Sequence, residues 1–474
     1  MDKKTTIEKM VREAYEKGLF NGTWLYAEHG EILTKGALGW RDTEDRLPLR
    51  EDSVFDLASV SKQFTAAAVM LLVQEGLLDL EDEVTKFFPE LPYPGVTVRH
   101  LLTHTGGVAD YFDDINWLIG IWEKEDRIPD NNDVLRFLCE SGAEAYFAPG
   151  EDSCYSNSDY CLLALIVERV SGLPFEDFMK RRVFEPAGMR DTAVCHVRRD
   201  GWPSDNFARA MVLEDGRYLL PDFSQNDRDV IPEDGTSGDG NVYSNIFDLF
   251  RWDRVLREGK LLTPETQRLM YAPVKLNSGE EYADEEGEGY GFGWAIPKEP
   301  EQGLIVEHGG WHKGAHTRYE RFIDKDLVLI ILLCRDPEDT PAFEAFFKAI
   351  REIMRGREPE PFRTLEERMV RDPDKSAWAG FCGKFAHEED DCFYPDEVFL
   401  RDGELYVKWM RGHGAGFTWR LYPLGGDEFG IKKFDFTLRL SAEGLTCFDE
   451  VCKKLPGEPA KETEYNIHTE EKEL

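Results

Sequence analysis

Ser59 and Lys62 stand three residues apart in "FDLASVSKQFTAAAVMLLVQEGLLDL", where a long apolar helical pattern begins. At i and i+3 of a helix their side chains share a face within about 5–6 Å, so a hydroxyl and an amine can touch. A serine becomes a strong nucleophile when a base takes its proton, and a lysine is such a base where burial or nearby cations favour the free amine. The helix start adds unpaired backbone N–H groups and a positive dipole end, both suited to negative charge developing on an attacked carbonyl oxygen. Taken alone, the pair is equally well explained by a capping serine and a surface lysine.

Two further stretches carry compatible chemistry. In "CYSNSDYCLLALIVERVSG", Tyr155, Ser156 and Asn157 sit just before a second helical run. A tyrosinate near a cationic lysine can shuttle protons and Asn157 can hold a substrate amide; the alternative is an Asn turn with Tyr155 packed in the core. In "VEHGGWHKGAHTRYERF" a strand runs into His308, Gly309 and Gly310, and glycines let a substrate approach the backbone closely. His308, His312 and His316 recur every four residues, a metal-binding face on a helix, but Gly309, Gly310 and Gly314 argue against a helix there, and no metal is expected. His104 in "LTHTGG" reads as a structural, hydrogen-bonded histidine. The G-x-S-x-G elbow is absent, since "GTSGDG" at 235–240 fails the spacing, and H-E-x-x-H is absent too.

The ordered set "SVSK", "YSN" and "HGG" resembles the serine β-lactamase and penicillin-binding-protein superfamily, in its class C-like branch of esterases, D-aminopeptidases and related peptidases. The stretches "VRHLLTHTGGVADY", "VFEPAGMRDT" and "GDGNVYSNIFDLFRWDRVLREGKLL" look like that branch's connecting segments, so the resemblance covers roughly residues 5–355. It implies an antiparallel sheet flanked by helices plus an all-helical lobe. It makes Ser59 the acylated nucleophile, Lys62 its partner, and Tyr155 the base that also protonates the leaving group, with lysine or tyrosine left open as the true base. Asn157 would bind the substrate's amide, and the backbone N–H groups of Ser59 and Trp311 would form the oxyanion hole. His308, with Gly309 and Gly310, stands where many relatives have K-T-G, so a fixed cation that would pair with a β-lactam carboxylate is replaced by a residue mostly neutral at pH 7. The following "WHKGAHTRYER" concentrates Lys313, Arg318 and Arg321, and Arg318 is the candidate for holding a substrate carboxylate; pairing with nearby acids is the alternative.

Elements that would position these groups are legible as well. A helix from about Thr5 to Lys17 leads to two apolar runs flanking His29 and Gly30, a hairpin. Helices follow from Ser59 to near Gly76, from about Asp159 to Val170 and from Phe247 to Arg257. "LIVEHGG", "RYERFI" and "LVLIILLC" read as strands, with a turn at Asp324 to Asp326, before a helix in "PAFEAFFKAIREIMRG". Strands from both ends of a region with helices between them make an α+β fold. The expected organisation is a serine-hydrolase domain at 1–356, a linker at 357–374, an all-β barrel-like domain at 375–456 with an Asp402-Gly403 hairpin, and a polar acidic tail at 457–474.

A formal charge of -36 repels nucleic acid and anionic membrane surfaces, so neither is an expected partner. The N-terminus has no apolar signal region, and the nine scattered cysteines read as reduced, mostly buried residues, which points to a cytoplasmic protein. The expected function is a serine hydrolase that works through an acyl-enzyme on a small molecule or short, possibly D-residue peptide, without cofactor. The alternative is a catalytically idle protein that binds a peptide or acyl ligand as a sensor.

Overall fold

The computed structural model describes all residues except 1, 44–45, 215, 225–226, 228, 285–286, 387–394, 409–417, 448–449 and 456–474; the expected tail lies outside the described residues. Contacts divide the chain into two compact units, one of residues 21–212 and 219–336, the other of residues 1–20, 213–218 and 337–474.

The first unit is built on a seven-stranded antiparallel sheet. In chain order its strands are β1 (Gly22–Glu28), β2 (Glu31–Leu38), β3 (Gly289–Tyr290), β4 (Ala295–Ile296), β5 (Ile305–His312), β6 (Ala315–Phe322) and β7 (Leu327–Leu333). Their spatial order is β3-β4-β5-β6-β7-β1-β2. β7, "LVLIILL", is buried at every position because it lies between β6 and β1 and is covered on both faces. His29 and Gly30 form the β1–β2 turn, both with positive φ, 49° and 79°, as a two-residue mirror-type turn requires. The expected turn at Asp324 to Asp326 joins β6 to β7.

Helix α1 (Lys3–Glu16) belongs to the other unit. Helices α2 (Lys62–Gln74), α3 (Asn157–Ser171) and α4 (Ile246–Arg257) belong to the first. α2 is buried continuously from Lys62 to Leu72 and α3 from Ser158 to Val167. A helix apolar nearly all round has no solvent face to keep, so these two form the centre of the helical core. Phe64 of α2 packs edge-on against Phe184 at 5.5 Å and against Trp252 of α4 at 5.0 Å. The helix expected to open at Ser59 begins at Lys62 instead; residues Ala58–Ser61 form a 3₁₀ turn. Tertiary bonds impose that tighter turn: Leu57 N–H donates to the Val242 carbonyl at 2.9 Å, and Val242 N–H donates to Ser61 Oγ at 3.1 Å. Among the described residues no helix is long and apolar enough to cross a membrane.

In the second unit α1 is grouped with helix α5 (Thr340–Met354) and a nine-stranded antiparallel sheet. Those strands are β8 (Gly383–Ala386), β9 (Glu397–Arg401), β10 (Glu404–Lys408), β11 (Thr418–Arg420), β12 (Tyr422–Gly425), β13 (Glu428–Ile431), β14 (Phe434–Leu440), β15 (Gly444–Cys447) and β16 (Glu450–Lys454). They are ordered β11-β10-β9-β8-β16-β15-β14-β13-β12, a nearly closed barrel-like sheet around Trp378, Val398, Leu405, Phe429 and Leu438. Asp402 and Gly403 make the expected β9–β10 turn. Contacts thus regroup the chain differently from boundaries at 356 and 375. The first reason is that α5 carries Phe346, which packs on Phe20 at 6.2 Å and on Phe362 at 5.4 Å. The second is that the expected linker 357–374 is a packed segment: Phe362 and Leu365 are buried, and Leu365 N–H donates to Asp339 Oδ2 at 2.6 Å. Its Pro and charge content misleads because two apolar residues suffice to anchor it.

β5 and the 3₁₀ turn meet where Gly310 has no side chain. A Cβ there would lie 2.3 Å from Thr317 Oγ1 and 2.4 Å from the Leu57 carbonyl oxygen, so the strand approaches only as glycine. Gly310→Ala is expected to lose about 1–3 kcal/mol through overpacking. A lower urea midpoint with unchanged slope checks this, and an unshifted midpoint contradicts it.

Candidate active site

The turn carrying Ser59 is pinned by bonds on both sides. Ala58, just before it, takes φ of 47°, a left-handed conformation unusual for a residue with a Cβ, and its N–H donates to Asp56 Oδ1 at 2.8 Å. Thr317 Oγ1 of β6 donates to the Leu57 carbonyl at 2.9 Å. Ser59 itself is half-buried between two buried neighbours, so its hydroxyl is the turn's reachable polar group.

Lys62 follows one helical turn later and is fully buried. Its Nζ lies 3.2 Å from Ser59 Oγ, 2.8 Å from Asn157 Oδ1 and 3.0 Å from the Asp239 carbonyl oxygen. It also sits over the ring of Tyr155, 4.7 Å from the centroid. The structure thus brings Ser59, Lys62, Tyr155 and Asn157 together. Asn157 has a duty the sequence reading did not assign, since its Oδ1 receives Lys62 while its Nδ2 and backbone N–H donate to Asp110 Oδ2 at 2.9 and 3.0 Å. Burial pushes Asp110 up to about 6, against the pull of those N–H bonds and of Lys62. Asp239, whose carbonyl receives Lys62, has its carboxylate held by Tyr111 Oη at 2.8 Å.

Tyr155 stands at the mouth, 42% exposed. Its ring lies on His104, centroids 4.4 Å apart. His104 is buried, with Nδ1 2.9 Å from Asp159 Oδ2 and 3.3 Å from Ser156 N. Burial holds the imidazole well below its ordinary range and lifts Asp159 well above its own. His104 accepts the Ser156 N–H at Nδ1 and so supports the 154–156 segment.

On the opposite wall β5 supplies His308 to Trp311. His308 is buried, with Nδ1 2.5 Å from the Gly309 carbonyl oxygen and Nε2 3.1 Å from Tyr290 Oη. A carbonyl only accepts, so Nδ1 carries the proton and Nε2 accepts from the tyrosine. Burial, then the charge of Lys62, depress this histidine to about 3, so it is neutral. Gly310 is explained by the approach of the strand to Leu57 and Ala58. Trp311 pairs in register with His316 of β6 and leaves its side chain 59% exposed. The three spaced histidines do not converge: His312 bridges Asp56 Oδ2 at 2.9 Å and Glu233 Oε2 at 3.0 Å, while His316 reaches Asp336 at 3.1 Å.

The cationic rim expected around Arg318 is largely absorbed by acids. Arg321 is buried, with Nε 2.7 Å from Asp253 Oδ1 and Nη1 2.7 Å from Tyr271 Oη. Lys313 pairs with Asp229 at 3.0 Å. Arg318 lies opposite Gly309 in the register, and its Nη1 is 3.9 Å from Glu307 Oε1. Strand alternation could have signalled that 319 and 321 share the core face. Asp110, Tyr290 and Glu233 sit outside the motifs and arrive by folding alone, while Asp56 lies just ahead of Ser59 and carries no signal of its own until His312 folds against it.

The family model described as Beta-lactamase matches residues 7–350. Penicillin-binding protein 4* of Bacillus subtilis strain 168 is 36% identical over 457 residues, covering 91% of this chain and 99% of that protein. Esterase EstB of Burkholderia gladioli is 31% identical over 350 residues, covering 67% and 86%. The same fold occurs in an octameric penicillin-binding protein homologue from Pyrococcus abyssi, with TM-score 0.65, 22% identity and 94% of each chain covered. It occurs also in D-amino acid amidase from Ochrobactrum anthropi SV3, with TM-score 0.62, 22% identity and coverage of 75% and 99%.

Bonds to two carboxylates, outweighing burial, raise His312 to about 10. A group raised on folding stabilises fully below its unfolded pKa, about 6.5, and the gain is lost as pH climbs through the folded value. The stability advantage of wild type over His312→Gln is therefore expected to shrink between pH 7 and 10. Urea denaturation at several pH values checks this, and a constant advantage contradicts it.

Proposed function

The chain belongs to the β-lactamase family, and from that premise we propose that it is a serine hydrolase that cleaves an ester or amide bond of a small molecule or short peptide, D-residue peptides included, through an acyl-enzyme on Ser59. The observation that carries the reading is the arrangement around Lys62. Two of its three polar contacts are to acceptors, Asn157 Oδ1 and the Asp239 carbonyl, and the third is to Ser59 Oγ. Two N–H groups of Lys62 go to those acceptors and its third position faces Ser59 Oγ, so the amine, once it has given up a proton, is placed to take that of the serine as a general base.

In this mechanism Ser59 Oγ bonds to the carbonyl carbon while its proton passes to Lys62 Nζ. The carbonyl π pair moves onto oxygen, which the N–H groups of Ser59 and Trp311 receive. As the oxyanion collapses, the bond to the leaving group breaks, and Tyr155 returns a proton to the departing oxygen or nitrogen, relayed from Lys62. Water then repeats the sequence on the acyl-enzyme, freeing the acid and Ser59. Asn157 holds Lys62 in place as well as lying within reach of a substrate amide. No step requires a metal or cofactor.

Substrate class follows from His308. A neutral, buried imidazole with both nitrogens engaged offers no fixed charge to a β-lactam carboxylate, which favours esters and amides over β-lactams. The esterase relative supports the same direction.

Intact mass after treatment with a fluorophosphonate tests the reading. We expect one adduct on wild type and none on Ser59→Ala; no wild-type adduct would instead favour a binding pocket without chemistry. Lys62→Ala and Tyr155→Phe are expected to slow acylation by about 10² to 10⁴, the range for positioned proton transfer. Against a panel of p-nitrophenyl esters, D- and L-aminoacyl anilides and nitrocefin, ester turnover should be measurable and nitrocefin turnover slow; rapid nitrocefin turnover contradicts the role given to His308.

A further inference from the structure

We propose that His312 is a positioning residue for the oxyanion hole. By bridging Asp56 and Glu233 it holds the end of β5, and with it the Trp311 N–H, at a set distance from the turn that carries the Ser59 N–H. The inference rests on reading the site as an acyl-transfer centre and adds a residue outside the motifs that define it.

The two donors come from segments about 250 residues apart, and the oxyanion needs both N–H groups at about 2.7–3.1 Å. Something other than chain connectivity must set their spacing. Two ties join the segments on one side of Trp311: the bond from Thr317 to the Leu57 carbonyl, and the close approach at Gly310. On the other side stands His312, immediately after Trp311. Its Nδ1 meets Asp56 Oδ2 at 2.9 Å, and Asp56 Oδ1 receives the N–H of Ala58, immediately before Ser59, at 2.8 Å. The chain His312–Asp56–Ala58 therefore begins one residue past one donor and ends one residue short of the other. It also bonds the N–H of the residue whose φ of 47° gives the turn its shape.

The imidazole suits this task. Both nitrogens face carboxylates, so both carry protons and the ring acts as a rigid, charged spacer. Glu233 is buried and fixes the far side of the ring, so the arm to Asp56 cannot swing away. The neighbouring ion pair of Lys313 with Asp229 holds the hairpin turn beyond, but through a flexible four-carbon stem. Asp227, Asp229, Asp56 and Glu233 against Lys313 and His312 are the charges facing this point.

The test separates positioning from mere stability by reading the hole directly. Wild type, His312→Gln, His312→Phe and Asp56→Asn are mixed with p-nitrophenyl butyrate carrying a ¹³C carbonyl, and the ester band of the acyl-enzyme is recorded by infrared difference spectroscopy. In wild type the band should lie below its position in the denatured acyl-enzyme. In both His312 variants it should move toward the denatured position, with acylation slowed by about 10²-fold or more and KM changed little, as for loss of an oxyanion-hole donor. Asp56→Asn retains an acceptor for Ala58 and should shift the band in the same direction by less; it also serves if the His312 variants do not fold. A folded variant with the wild-type band position, or a loss confined to melting temperature, would overturn the proposal. If wild type turns over no ester and gives no ¹³C ester band, the serine-hydrolase reading fails, and the role of His312 fails with it.

Discussion

A lysine amine with no exposed surface must find polar partners for its hydrogens. Lys62 does so with groups from three separate segments: the hydroxyl one turn earlier, a carboxamide at the start of α3 and a main-chain carbonyl at Asp239. Much of the helical region follows from satisfying it. α3 has to begin beside the first turn of α2, which is why two helices apolar on nearly every face lie together. Asn157 can turn its oxygen to Lys62 only because Asp110 takes its Nδ2 and backbone N–H. Asp239 can offer its carbonyl only because Tyr111 holds its side chain. Such networks are strong when complete and costly when one member is removed.

A second layer controls charge around that amine. His104 and His308 both approach it, and burial together with Lys62 keeps both imidazoles neutral. One supports the ring of Tyr155 from below, and the other is tied to Tyr290 and to its own strand. The opposite wall of the pocket is thereby left without a charged histidine at His308.

The candidate site side chains and the main strands are legible in the sequence because each rests on local chemistry. "SVSK", "YSN" and "HGG" are contiguous, and the His29-Gly30 and Asp402-Gly403 turns demand positive φ that those residues tolerate. What escaped was non-local. A helix pattern starting at Ser59 gave no hint that bonds to Val242 would tighten its first turn to 3₁₀. Charge in "WHKGAHTRYER" looked like a rim because one sequence does not say that Asp253 and Tyr271 wait in the core for Arg321. Pro-rich 357–374 looked like a tether because Phe362 and Leu365 are two apolar residues among many polar ones. Gly310 was read as room for substrate, whereas the atoms nearest its absent Cβ belong to the protein's own Thr317 and Leu57.

The fate of those cations bears on what the pocket recognises. In a chain of net charge -36, a basic side chain near a cleft is far more often claimed by a carboxylate of the protein than left for a ligand. Arg321, Lys313 and His312 are each claimed in this way. The other groups lining the site are directional: backbone N–H groups on β5 and the Ser59 turn, and the exposed faces of Tyr155 and Trp311. Groups of that kind read the shape and hydrogen bonding of an acyl or amide unit rather than its net charge. Under the proposed acyl-transfer reading, selectivity in this pocket is a matter of how well a carbonyl seats between two donors, and the distance between those donors is the quantity on which both rate and choice of substrate depend.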